Sequence, residues 1–168
     1  MTSSPAPFRI RVLDPVRDDL DPALELVQAL LDELGDEARE SGRLDRAGLA
    51  ARARSRSDGH SVFLAEDAAG RALGTLTLVE TFAFYAGGAA GIINELYVRP
   101  EHRSDGVGAA LIAAAAERGR ERGWRRIDVA IPEDPRWTRT RVFYEREGFV
   151  FAGPKLKLLL AGNEDGNA

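Results

Sequence analysis

The 168-residue sequence contains no cysteine, so structural disulfides, zinc-thiolate clusters and a cysteine nucleophile are all excluded. Histidine is nearly as scarce. His60 and His102 stand far apart, without acidic companions at metal-ligand spacing, and no metal site is expected. No apolar run approaches the roughly 18 to 20 residues that cross a bilayer, and the opening TSSPAPFRIRV lacks the apolar stretch of a signal peptide. A cytoplasmic chain with no membrane partner is therefore expected. Lysine and arginine (23) are outnumbered by aspartate and glutamate (27), giving a formal net charge of −4. That balance argues against a general nucleic-acid partner and makes a cationic ligand easier to attract. With 44% hydrophobic and 30% charged residues, the composition is that of an ordinary globular domain long enough to bury its own core.

Residues 1–7, small and polar, read as a disordered leader, 8–160 as one domain and 161–168 as a polar tail. Phe8, Ile10 and Val12 alternate with arginines, the period of a half-buried strand. Leu24, Val27, Leu30, Leu31 and Leu34 recur at helical spacing, with Asp21 as expected N-cap, Pro22 at the first helical position and Gly35 as the stop. A marginal, arginine-rich helix is expected within 39–56, where Leu44 and Leu49 are too sparse for a strong core face. Glu40, Asp45 and Asp58 interrupt its positive run, which reads as a solvated face. Residues 61–66 and 72–84 read as antiparallel strands joined by the turn sequence DAAGR, and YAGGAAG as a second turn. A strand over 92–98, a helix over about 108–122, a strand holding Ile127, Val129 and Ile131, and a helix over about 136–147 follow. The segment 149–160 completes the pattern as a bent strand or hairpin arm. Trp124 is expected in the core, and the apolar KLKLLL near the end is suited to cover a sheet edge and support a homodimer.

The most informative stretch is NELYVRPEHRSDGVGAALIAAA: a strand, a charged loop, then glycines that open an alanine-rich helix. Gly106 and Gly108 let a ligand approach the backbone closely. The first amides of the helix then point unpaired at whatever sits there, which favours phosphate oxygens. Arg103 can add positive charge at the same end. A dinucleotide-binding fingerprint would need glycine where Leu111 stands, and a P-loop would need Lys-Ser or Lys-Thr at Ala109 and Ala110. Read alone, the two glycines could equally be a plain helix cap.

With Arg103, Gly106 and Gly108 at this spacing, and RVFYEREGF downstream, the chain resembles the GNAT acetyltransferases. The resemblance implies an α/β fold of the GNAT acyl-CoA N-acyltransferase type, with a mixed, mostly antiparallel sheet flanked by about four helices. It implies acetyl-CoA as co-substrate, with the amides of Ser104, Gly106, Val107, Gly108 and Ala109 around its pyrophosphate and Asp105 in the same loop. The strand Leu96, Tyr97 and Val98 would lie along the pantetheine arm. It also makes Tyr144 the group that meets the departing thiolate, while Phe143 is assigned to the core. Many family members carry Asn where Trp137 stands, so Trp137 is placed against the cofactor or the acceptor cleft.

Glu95 lies on the strand that leads into this loop, and the stretch TFAFYAGGAAGIINELYV is similar to that of polyamine and related small-amine acetyltransferases, which carry acidic residues here. A protonated ammonium cannot attack a thioester, and a partly buried carboxylate can accept its proton directly or through water. The bland alternatives are a solvated carboxylate or a salt-bridge partner for Arg99. Asn94, Glu80 and Tyr85 are further candidates for contact with the acceptor. The expected activity is acetyl transfer to a primary amine of a small molecule by direct attack. A protein lysine or N-terminal acetyltransferase and a non-catalytic acetyl-CoA-binding module are the alternatives.

Overall fold

The structure, a computed structural model, describes residues 8–35, 43–55 and 59–153, which divide into two compact units meeting at Val129 and Ala130. The first unit is built on a five-stranded sheet in the order β1 (Phe8–Leu13), β2 (His60–Asp67), β3 (Ala72–Ala83), β4 (Gly88–Val98) and β5 (Ile127–Val129). Neighbours run antiparallel except β4 and β5, which are parallel. A parallel pair needs a crossover, and α3 (Val107–Glu121) supplies it. Two further helices, α1 (Asp21–Leu34) and α2 (Arg46–Ser55), connect β1 to β2.

Side-chain alternation assigns one helix layer to each sheet face. On β3 the even positions Gly74, Leu76 and Leu78 face α3, because a Cβ on Gly74 would lie 3.2 Å from Val107 and 3.3 Å from Leu111. Phe63, Leu76, Leu78, Val107 and Leu111 are essentially solvent-free. The opposite face packs Val62, Leu64 and Tyr97 with Leu13, Leu20, Ala23 and Leu26, which places α1 there. Leu26, absent from the stripe read in the sequence, is fully buried, and Ala23, Leu26 and Val27 carry the helix onto the sheet.

The helix ends follow local chemistry. Leu20, not Asp21, is the N-cap of α1; Asp21 enters the first turn because the Asp19 carboxylate accepts from its backbone N–H at 3.0 Å. Gly35, at φ 84°, ends the helix as expected. Helix α2 buries no residue, in keeping with its sparse apolar content. In the DAAGR turn the Asp67 carboxylate accepts from the amides of Ala69 and Arg71, each at 2.9 Å, while Gly70 takes φ 77°. Strand β4 starts at Gly88, earlier than the sequence pattern indicated, since Gly88 to Gly91 pair with Ala83 to Glu80. Trp124 packs where Gly91 and Gly119 leave room: a Cβ on either would lie 2.5 and 3.1 Å from its ring.

The second unit holds a short 3-10 turn, Pro135–Trp137, and α4 (Thr138–Arg146). Asp134 opens the turn by accepting from the Arg136 N–H at 2.8 Å. Gly148 at φ 92° closes the helix, and the Phe149 N–H returns to the Tyr144 carbonyl at 3.0 Å. The expected strand β5 is only three residues long and stops before Ile131. Residues 149–153 form neither strand nor helix, and the rest of the expected final arm, including KLKLLL, lies outside the described residues, as do the leader and the tail.

Candidate active site

A single extra residue in β4 organises the site. Thr77 pairs with Glu95 but Leu78 pairs with Ile93, leaving Asn94 as a bulge. Before the bulge the odd positions face α3, as the contact of Gly91 with Trp124 and Leu78 shows. After it the odd positions Glu95 and Tyr97 face α1, the side on which Tyr97 joins Leu26 and Leu64. A strictly alternating strand would have driven the Glu95 carboxylate into the apolar α3 layer; the bulge turns it onto the α1 face.

The bulge changes the main chain in the same way. The Gly91 N–H donates to the Arg126 carbonyl at 3.0 Å, so odd residues face β5 at the start of the strand. Further on, the Arg99 N–H donates to the Leu73 carbonyl at 2.9 Å, so Tyr97 and Glu95 turn toward β3 while Leu96 and Val98 turn away from it. Pairing with β5 covers only Gly91 to Ile93. The main-chain groups of Leu96 and Val98 thus face an edge that β5 does not reach, where the Val98 carbonyl accepts from Arg103.

Glu95 is half-buried, and its carboxylate accepts from the Thr77 hydroxyl while its N–H donates to the same oxygen at 3.3 Å. Burial raises its pKa above the usual carboxylate range, opposed by the Thr77 hydrogen bond and the charge of His60. Arg99 is not its partner: that guanidinium binds Glu25 at 2.8 Å and the Ala72 carbonyl at 2.8 Å. Asn94 is exposed beside it.

The loop after β4 leads through a 3-10 turn, Pro100–His102, into an exposed stretch from Arg103 to Gly106. Ser104 adopts φ 73° and Gly106 φ 84°, both at positive φ in the loop that opens α3. Gly106 caps α3 with no side chain bonded to the helix end, and the first intrahelical donor is the Ala110 N–H. The amides of Val107, Gly108 and Ala109 therefore have no acceptor within the helix. Asp105 lies 3.7 Å from His102. Arg103 differs from expectation: its guanidinium does not extend over the helix end but binds the Val98 carbonyl at 3.0 Å and Glu33 at 2.7 Å, above the Tyr97 ring. The same Glu33 oxygen accepts from the Tyr97 hydroxyl at 2.9 Å.

The remaining candidates each have contacts of their own. The Glu80 carboxylate is occupied by Arg122, at 2.5 and 3.0 Å, and by the Trp124 indole N–H at 2.5 Å, which pull its pKa down to about 2. This arrangement ties β3 to the end of α3. Tyr85 is exposed at the β3–β4 connection, with the Arg126 guanidinium 4.8 Å from its ring. In the second unit Trp137 is half-buried and ends the 3-10 turn rather than lying within α4, as the sequence had indicated. Tyr144 is buried, with the rings of Phe143 and Phe149 at 5.3 and 5.2 Å, and burial raises the pKa of its hydroxyl. Among the described residues no cluster of His, Asp and Glu is placed to hold a metal, and no helix is long and apolar enough to cross a membrane.

Sequence reasoning missed three participants. Gly74 carried a signal, a glycine inside a strand pattern, which marks a close approach of another element. Thr77 and Glu33 carried none, because their roles arise from pairing across 18 and 64 residues of chain.

A bulged strand, a strand edge beyond the reach of β5 and a glycine-opened helix define a class, and comparison with known proteins gives the same class. The family model described as an acetyltransferase (GNAT) domain matches residues 58–151, and the chain belongs to this family of acetyltransferase enzymes. Among solved structures, an acetyltransferase of Trypanosoma brucei is 28% identical, with a TM-score of 0.66 over 91% of this chain and 99% of that one. An aminoglycoside acetyltransferase from an uncultured soil metagenomic sample is 21% identical, with a TM-score of 0.75 over 92% and 99% of the two chains. AAC(6')-Iy, in complex with the bisubstrate analog CoA-S-monomethyl-acetylneamine, is 18% identical, with a TM-score of 0.72 over 92% and 99%. No curated protein matches this chain.

Proposed function

We propose that this enzyme transfers an acetyl group from acetyl-CoA to a primary amine of a small molecule by direct attack on the thioester. The observation that carries this reading is the bulge at Asn94, which sets a half-buried Glu95 next to a strand edge that runs into the loop of open amides. An acyl-enzyme route through cysteine is closed, since the chain has none.

The amides of Ser104 and Gly106 to Ala109 fit a pyrophosphate, because the helix end offers donors and no side chain caps it. Leu96 and Val98 suit the amide groups of a pantetheine arm, and the Leu96 N–H is oriented to polarise the thioester carbonyl as charge develops. Holding amine and carbonyl in register removes much of the entropic cost of their encounter. Glu95, whose raised pKa makes it a better base than a surface carboxylate, takes the ammonium proton directly or through water. Tyr144, a neutral hydroxyl, donates to the departing sulfur; its place in the FYEREGF motif supports that role. The small-molecule acceptor draws support from the fold shared with the two aminoglycoside-related structures.

The test is a calorimetric titration with acetyl-CoA followed by a panel of amines and lysine peptides read by thiol release. Micromolar cofactor binding with turnover of small amines is expected. Turnover of peptides alone would move the acceptor to proteins, and binding without any turnover would leave a non-catalytic module.

A further inference from the structure

Thr77 lies outside every motif, yet it touches Glu95 twice. Its side-chain oxygen accepts from the Glu95 N–H at 3.3 Å and its hydroxyl hydrogen goes to the Glu95 carboxylate. Both contacts sit at the register shift, where Thr77 is the last β3 residue paired before Asn94 is passed over. Thr77 itself is buried, so water does not compete freely for the hydroxyl. We infer that Thr77 is a positioning residue for acetyl transfer, fixing both the bulge and the orientation of the Glu95 carboxylate that receives the amine proton. The inference rests on the assignment of Glu95 as the base.

The physical reason lies in the geometry of a bulge. The extra residue disturbs the main-chain ladder locally, and at that point the Glu95 N–H meets the Thr77 side-chain oxygen. A threonine hydroxyl directly opposite supplies an acceptor to that N–H and a donor to the carboxylate at the same time. Without it the carboxylate would be free to rotate within its half-buried site, and would lose the hydrogen bond that favours its ionised form. The group whose charge also acts on Glu95 is His60, at the start of β2; it lowers the Glu95 pKa in the same direction as Thr77 does.

Thr77→Val keeps the shape and removes the hydroxyl. The acid limb of its kcat/KM profile should move up by about one pH unit, the size of one hydrogen bond to a charged group. Its kcat above that limb should fall about tenfold, with acetyl-CoA KM within about twofold, as for a misaligned base. Thr77→Ser, which restores the hydroxyl, should return the limb to the wild-type position. Glu95→Gln is measured alongside. A Thr77→Val enzyme with wild-type limb and kcat, while Glu95→Gln is crippled, overturns the inference and leaves the base in place. A Glu95→Gln enzyme with wild-type turnover removes the base, and the inference with it. Should Thr77→Val fail to fold, the limb of Thr77→Ser decides alone: a displacement of about one unit in a variant that keeps the hydroxyl would overturn the inference.

Discussion

Replacing Glu80 with glutamine tests whether this carboxylate holds the sheet to α3 or works on the acceptor. The charge is engaged by Arg122 and by the Trp124 indole, and its pKa falls from 4.5 to about 2. At about 1.36 kcal/mol per pKa unit the shift alone would be worth roughly 3 kcal/mol. The side chain keeps 26% of its exposure, so solvent screening reduces this to about 1 to 1.5 kcal/mol. Because the folded-state pKa is depressed, the stabilisation is complete above the unfolded value of 4.5 and is lost as pH falls toward about 2. Urea unfolding followed by tryptophan fluorescence should therefore show Glu80→Gln less stable by about that amount near neutral pH, with a Tm roughly 3 °C lower. The two proteins should converge through the acid window. A gap that stays constant with pH would refute the electrostatic account. Unchanged stability with a raised acceptor KM would return Glu80 to the cleft.

Three further outcomes follow from the same geometry. A Cβ on Gly74 would lie 2.9 Å from the Tyr97 carbonyl and press on Val107 and Leu111, so Gly74→Ala should lose about 1 to 3 kcal/mol and bind acetyl-CoA more weakly as the start of α3 is displaced; denaturation and calorimetry report the two effects separately. Tyr144→Phe should lower kcat by about tenfold or more while acetyl-CoA KM stays within about twofold, and unchanged turnover would remove Tyr144 from the reaction. Glu33→Ala releases Arg103 and the Tyr97 hydroxyl together, and should raise the acetyl-CoA Kd by about threefold to tenfold with acceptor KM unmoved, as read by calorimetry and initial rates.

The order of elements from β1 to α4, the turn at Asp67 to Arg71 and the glycine-opened start of α3 were legible in the sequence, because each depends on neighbours only a few residues away. Period-2 and helical spacing, a glycine at positive φ and an aspartate that bonds its own turn are local physics. The loop of candidate amides belongs to this class, and so does the placement of Tyr144 and Phe143 on one helix. The cap of α1 was misread by one residue for an equally local reason, a competing aspartate at position 19.

What the chain alone left open was decided where distant segments meet. Strict alternation groups Gly91, Ile93, Glu95 and Tyr97 on one face; only pairing with β3 shows the extra residue at Asn94 that sends Glu95 and Tyr97 to the other. The fates of three charged residues were settled in the same way: Glu80 by Arg122 and Trp124, Arg103 by Glu33, Arg99 by Glu25. A salt bridge or a bulge is set by which backbone lies opposite, and that depends on the register of whole strands, on which no single stretch of sequence carries information. Composition and motif pointed to the family; tertiary pairing determined which face of the sheet each carboxylate occupies and which partner it meets.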